Sequence, residues 1–217
     1  MKSAGNDIVA LNAIDIQRTR DARFYSKFIA DSELAIYQHQ SLPLPFEIFV
    51  WLLWSVKESA YKYLQRHDAG LVFSPIKFVV VGLNILPNFV LTPVAGNYWD
   101  NDTPTNYITG TVSYGHTQLY FQSYITPDFI TSAVNNDEQF AQVHCGIQSI
   151  EQTDSEHQSI AVRELALAQL RSVLNADNLH ITKSEIGYPV VLKGDESLDV
   201  ALSFAHHDRW VGYSFVL

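Results

Sequence analysis

Nine residues, WSVKESAYK at 54–62, set Lys57, Glu58 and Lys62 among Trp54, Val56, Ala60 and Tyr61. Positions four apart share a helical face, so Glu58 and Lys62 form a pair. On an exposed helix such a pair contributes only about 0.2–0.5 kcal/mol and needs no further role. A second carboxylate, Asp7 in GNDIV, opens a short apolar segment, where Gly-Asn-Asp is also ordinary turn chemistry. Together they suggest more. A carboxylate at the edge of a buried strand and another on a buried helix make the usual protein share of a Mg²⁺ site, which water and phosphate oxygens complete. A neighbouring lysine would neutralise phosphate charge. Near the C-terminus, LSFAHH supplies Ser203, His206 and His207. Each histidine reads either as a strand residue satisfied by hydrogen bonds or, at a strand end, as a phosphate contact.

The elements that must position these groups follow from pattern. Pro43 and Pro45 break the chain, and FEIFVWLLW then opens a helix expected over Phe46–Arg66, its apolar run anchoring the charged turn in a core. GNDIVAL reads as a turn running into a buried strand. Residues 15–29 have mixed helical character, and Asp31 or Ser32 is the expected cap of the next helix. Strands are expected in 74–86, 88–94 and 110–125, with a turn-rich polar loop, 97–107, between the last two. The polar stretch 135–158 is expected to hold a linker, followed by a helix over 159–175. The chain should close in strands at 180–192 and in a hairpin turning near Asp208.

With 217 residues and 47% hydrophobic content, the chain can form one sizeable domain or two small, tightly packed ones. A single cysteine, Cys145, excludes an internal disulfide and any cysteine-rich zinc site. No apolar leader is visible in MKSAGNDIV, and the longest apolar run, IFVWLLW, falls far short of the roughly 20 residues of a membrane span. A soluble, cytoplasmic protein is the expectation. The net charge of −9 argues against nucleic acid as a general partner. That charge is uneven: residues 1–66 carry eight Lys/Arg against seven Asp/Glu, and QRTRDARFYSKF gathers Arg18, Arg20, Arg23 and Lys27 around Asp21 alone. Such a run is either a solvated face or a small basic dock for an acidic partner.

Two stretches recur. VKESAYKYL (56–64) matches VRELALAQL (162–170), and VSYGHTQLYFQSY (112–124) matches LSFAHHDRWVGYS (202–214), in the same order. This suggests a duplicated unit, helix then hairpin, whose halves (1–134 and 135–217) would pack about a pseudo-twofold axis with a cleft at their seam. The copies differ. Ala168 stands where Lys62 would be, and no acidic counterpart of GNDIV is evident near 140–150.

GNDIV, WSVKESAYK, the GYP turn (Gly187-Tyr188-Pro189) and LSFAHH together resemble the 4′-phosphopantetheinyl transferase superfamily. The motif order is that of the small holo-(acyl carrier protein) synthases, whereas the length and duplication resemble the larger pseudo-dimeric type. The resemblance implies an α+β fold of two similar halves, each a helix packed on a small antiparallel sheet, working as a monomer. It implies coenzyme A bound between the halves, Mg²⁺ held by Asp7 and Glu58, and attack by a carrier-protein serine on the phosphorus joined to pantetheine. Lys62 and Lys57 would act on the phosphates, with Asp7 and Glu58 completing the catalytic set. His206, Ser203, Gly187, Pro189 and Lys62 would contact coenzyme A. Arg18, Arg20, Arg23 and Lys27 would dock an acyl carrier protein. Four positions depart from the pattern: Asn6, Val9 where the larger type adds an acid, Ala205 for a serine, and Tyr188 where a lysine is frequent. The departures favour an alternative, a non-catalytic member that binds coenzyme A or a carrier. A third reading, an unrelated interaction domain, requires Asp7 and Glu58 to lie far apart.

Overall fold

A computed structural model describes residues 2–40, 42–86, 89–91 and 107–217. The loop expected at 97–107 lies outside these apart from Tyr107, and so does most of the strand expected over 88–94, whose described residues 89–91 are not extended into a sheet.

The chain begins with β1 (Gly5–Ala10), buried along its whole length, and then makes two short turns of helix, α1 (Ile16–Thr19) and α2 (Ala22–Tyr25). Asp15 caps the first by accepting from the Arg18 amide, and Asp21 caps the second by accepting from Arg23, so the segment breaks where the acid sits. Helix α3 (Asp31–Gln40) starts differently from expectation. Glu33, rather than Asp31 or Ser32, closes the cap, its carboxylate accepting from the Ala30 amide while its own amide donates to the Ala30 carbonyl. The long helix α4 (Phe46–Gln65) follows, with Arg66 at its C-cap. Next come β2 (Phe78–Asn84), β3 (Tyr107–Tyr114), β4 (Thr117–Ile125) and β5 (Phe129–Asn135).

The polar stretch 135–158 is not a plain linker. It holds β6 (Val143–Ser149), whose Val143, Cys145 and Ile147 keep a two-residue period that polar neighbours mask. Helix α5 (Ser155–Leu174) starts a turn earlier than its apolar pattern suggests because Asp154 accepts from the Glu156 and His157 amides. The chain ends in β7 (Leu179–Lys183), β8 (Pro189–Lys193), β9 (Glu196–Ser197), β10 (Ala201–His207) and β11 (Trp210–Val216), with the last turn at Asp208 as expected.

All paired strands are antiparallel, so the α+β expectation holds. One sheet runs β1-β5-β4-β3-β2, a second β10-β11-β6, a third β7-β8-β9. Each part of the chain returns its last strand to its first, β5 to β1 and β11 to β6, with a twenty-residue helix in between. The recurring stretches 112–124 and 202–214 fall on the β3–β4 and β10–β11 hairpins.

Among the described residues, three apolar clusters form the core. One packs α4 on the five-stranded sheet, one packs α5 on the C-terminal strands, and the third joins Ile8, Phe129 and Ala133 to Val143, Ile147 and Ala205 across the seam. Gly5 sets how close β1 comes to α4. A Cβ there would stand 2.1 Å from the Ser59 carbonyl oxygen and 2.8 Å from the Tyr63 nitrogen, both of them helix backbone. Gly5→Ala is therefore expected to cost about 2–3 kcal/mol by forcing the strand off the helix. Urea unfolding measures the loss, and an unchanged midpoint would contradict this packing.

Candidate active site

Side chains on a strand alternate faces, so Asp7 shares with Gly5 the face turned to α4. The close approach that Gly5 permits brings Asp7 against Lys62, 55 residues away in sequence. The Lys62 ammonium donates to the Asn6 carbonyl at 3.0 Å and to Asp7 Oδ1 at 3.2 Å, and it lies 3.3 Å from Glu58 Oε1. One lysine thus joins the two carboxylates singled out in the sequence, and the reading that set Asp7 and Glu58 far apart fails. Asp7 is buried, and its Oδ2 finds no hydrogen-bond partner among the described residues. Burial pushes its carboxyl up to about 7, against the lowering pull of Lys62 and with a further push from Glu58. Burial draws Lys62 down, but the Asp7 and Glu58 carboxylates outweigh it and hold the ammonium above its ordinary value.

The donor set suits a hard divalent cation in part. Two carboxylates converge, one of them with an orphaned buried oxygen, and Mg²⁺ usually takes only one or two carboxylates and fills its shell with water and phosphate. Among the described residues no three His, Cys, Asp or Glu side chains gather as a complete metal site.

Beside Lys62 opens a cleft of about 220 Å³ between the end of α4, the 184–189 turn and β10. Lys62, Gly187, Pro189 and Ser203, four of the five residues expected to contact coenzyme A, line it. Ser203 also has a structural task, its Oγ accepting from the Asn6 amide at 3.3 Å. His206, the fifth, is exposed and is not part of the cleft wall. Partial desolvation of its ring and the Lys62 charge lower its pKa, and Glu58 opposes them, so it sits within the field of the site.

Lys57 is not brought to the site. It lies about 100° round the helix from Glu58, has no exposed side-chain surface, and pairs with Glu33 at 2.7 Å while donating to the Phe28 carbonyl. The catalytic role expected for it finds no support in this placement.

Arg18, Arg20, Arg23 and Lys27 are all exposed. Phe24 and Phe28 fasten their segment to Trp51 and Trp54, which leaves the charges outward. Arg20 is held by Glu47 at 3.1 Å and Arg18 lies over the Phe24 ring, whereas Arg23 and Lys27 form no ion pair among the described residues. Sequence reasoning missed Glu33, Arg66 and the structural role of His207. Arg66 lines the cleft, and His207 Nδ1 accepts from the Ala10 amide at 3.2 Å. One signal was present for Arg66: it follows Lys62 by four residues and shares its helix face.

In class this is an α+β protein with a pair of carboxylates bridged by a lysine that lines a neighbouring cleft, whose wall also carries Arg66. Residues 3–110 match the model of the 4′-phosphopantetheinyl transferase superfamily, and this first half of the chain belongs to that superfamily, whose members transfer phosphopantetheinyl groups. No curated protein and no solved structure matches the chain. Among the described residues, no helix is long and apolar enough to cross a membrane.

Proposed function

We propose that this protein moves 4′-phosphopantetheine from coenzyme A to a serine of an acyl or peptidyl carrier protein, with Mg²⁺, and releases adenosine 3′,5′-bisphosphate. The observation that carries the reading is Lys62 joining Asp7 to Glu58 beside a cleft lined by Gly187, Pro189 and Ser203. In the reaction a bond forms between the serine oxygen and the phosphorus attached to pantetheine, and the bond from that phosphorus to the bridging pyrophosphate oxygen breaks. Mg²⁺, held by Asp7 and Glu58, would neutralise charge on the pyrophosphate. The more exposed carboxylate, Glu58 (side chain 29% exposed against 7% for Asp7), takes the serine proton. Lys62 turns its ammonium to the phosphate oxygens and steadies the leaving group, and positioning with charge neutralisation accounts for most of the acceleration. The 1–134 and 135–217 halves act as one monomeric unit, with Arg18, Arg23 and Lys27 meeting the acidic face of the carrier and His206 a coenzyme phosphate.

The direct test mixes purified protein, apo-carrier protein, coenzyme A and Mg²⁺ and weighs the carrier. A phosphopantetheine adduct supports the proposal, and none on any carrier from the same organism refutes it. A second reading, a binding member without turnover, is favoured by the Lys62 ammonium standing where it bridges both carboxylates. Coenzyme A binding without Mg²⁺-dependent transfer would select it.

A pH dependence follows from Asp7. Its carboxyl titrates about a midpoint raised to about 7, and a cation needs the ionised form, so affinity is lost as pH falls through 7. Mg²⁺ affinity of the free protein should rise about tenfold per pH unit below 7 and level off above it. Calorimetric titrations at several pH values check this, and a flat profile would contradict the raised carboxyl of the buried Asp7.

A further inference from the structure

Arg66 lines the cleft, and its guanidinium lies over the Tyr188 ring, 4.3 Å from the ring centre. Its Nη1 donates to the Leu202 carbonyl at 2.8 Å, so the end of α4, the 184–189 turn and β10 all hold it in one orientation. A guanidinium has five N–H donors. Among the described residues only Nη1 has an acceptor, and Arg66 has no carboxylate partner. None of the cleft's described lining residues is acidic. Lys62, the other cation on the wall, is already bonded to Asn6 and Asp7 and paired with Glu58. The Asp199 carboxylate acts on Arg66 through space but is ion-paired with Lys2, so among the described residues Arg66 is the cation of the cleft wall without an ion-pair partner, and the Leu202 carbonyl and Tyr188 ring hold it in place.

Resting on the transferase reading above, we infer that Arg66, held over the Tyr188 ring, binds the 3′-phosphate of coenzyme A and makes this protein select coenzyme A over its 3′-dephospho form. Residues four apart on a helix are separated by about 6 Å along its axis, a full turn from the lysine that serves the pyrophosphate. The coenzyme has one other anionic group, the 3′-phosphate, and a planar fork of donors matches a phosphate monoester in bidentate fashion. The substitution that places Tyr188 where a lysine is frequent does not remove a cation from the cleft. It supplies the ring on which Arg66 rests.

Binding of coenzyme A and of 3′-dephospho-coenzyme A to the wild type and to Arg66→Gln, measured by titration calorimetry, tests this. Arg66→Gln should weaken coenzyme A about ten- to a hundredfold and leave the dephospho form within twofold, which also shows that the variant is folded. Adding Tyr188→Lys to Arg66→Gln should recover most of the lost discrimination. Equal weakening of both ligands, or none, overturns the assignment of Arg66 alone. A wild type that binds neither ligand overturns the transferase reading with it.

Discussion

Glu58→Gln should leave a folded protein that has lost at least about a hundredfold in transfer rate. The expectation follows from what Glu58 touches. Its side chain is 29% exposed, and its ion-pair partner is Lys62, four residues on in the same helix. Losing such a pair costs about 0.2–0.5 kcal/mol, which moves the Tm of a chain this size by about 0.4–2 °C. The chemistry loses far more, because glutamine can neither take the serine proton, an effect of about 10²–10⁴ in rate, nor offer an anionic oxygen to a cation. Carrier mass spectrometry over a time course gives the rate, and circular dichroism gives the fold. A variant that stays within tenfold of the wild type would remove Glu58 from both roles.

Lys57→Met should do the reverse, unfolding the protein far more readily while sparing the chemistry of the molecules that remain folded. Lys57 and Glu33 form an ion pair with no exposed side-chain surface. Burial draws the Lys57 ammonium below its ordinary value, and the Glu33 carboxylate opposes that shift. Glu33 also accepts from the Ala30 amide at 2.7 Å and from the Val80 amide at 2.7 Å, so this one carboxylate ties the start of α3 to β2 and α4. Removing only the lysine leaves a bare buried charge, a loss of about 3–5 kcal/mol. The double variant Lys57→Met, Glu33→Gln should be more stable than Lys57→Met alone, since no unpaired charge remains. Urea midpoints test the ordering, and transfer rates well below those midpoints should stay within about threefold of the wild type. A stable Lys57→Met that transfers a hundredfold more slowly would return Lys57 to the reacting atoms.

The contrast between these neighbours shows what pattern can carry. Glu58 and Lys62 were recognisable as a pair because helical geometry alone sets them on one face. Lys57 shares the motif and the residue type, yet nothing local says whether it turns toward phosphate or interior. That depended on Glu33, 24 residues earlier, read in the sequence only as part of a short helix. β5 escaped notice for a related reason: all seven of its residues are buried, so it lacks the alternation that marks a half-exposed strand.

By itself the sequence determined the helix that carries Glu58 and Lys62, the strand that carries Asp7, the GYP turn and the closing hairpin. Each is written in a period or a turn residue within a few positions. The tertiary structure decided what those pieces meet. It drew Asp7 onto Lys62 through the missing side chain of Gly5, buried Lys57 on Glu33, and laid Arg66 on Tyr188 against the Leu202 carbonyl, 136 residues away. The reason is physical. A charged side chain has the same local signature whether it ends in water, in a buried pair or in a ligand cleft, and only the desolvation and partners that distant segments supply distinguish these fates.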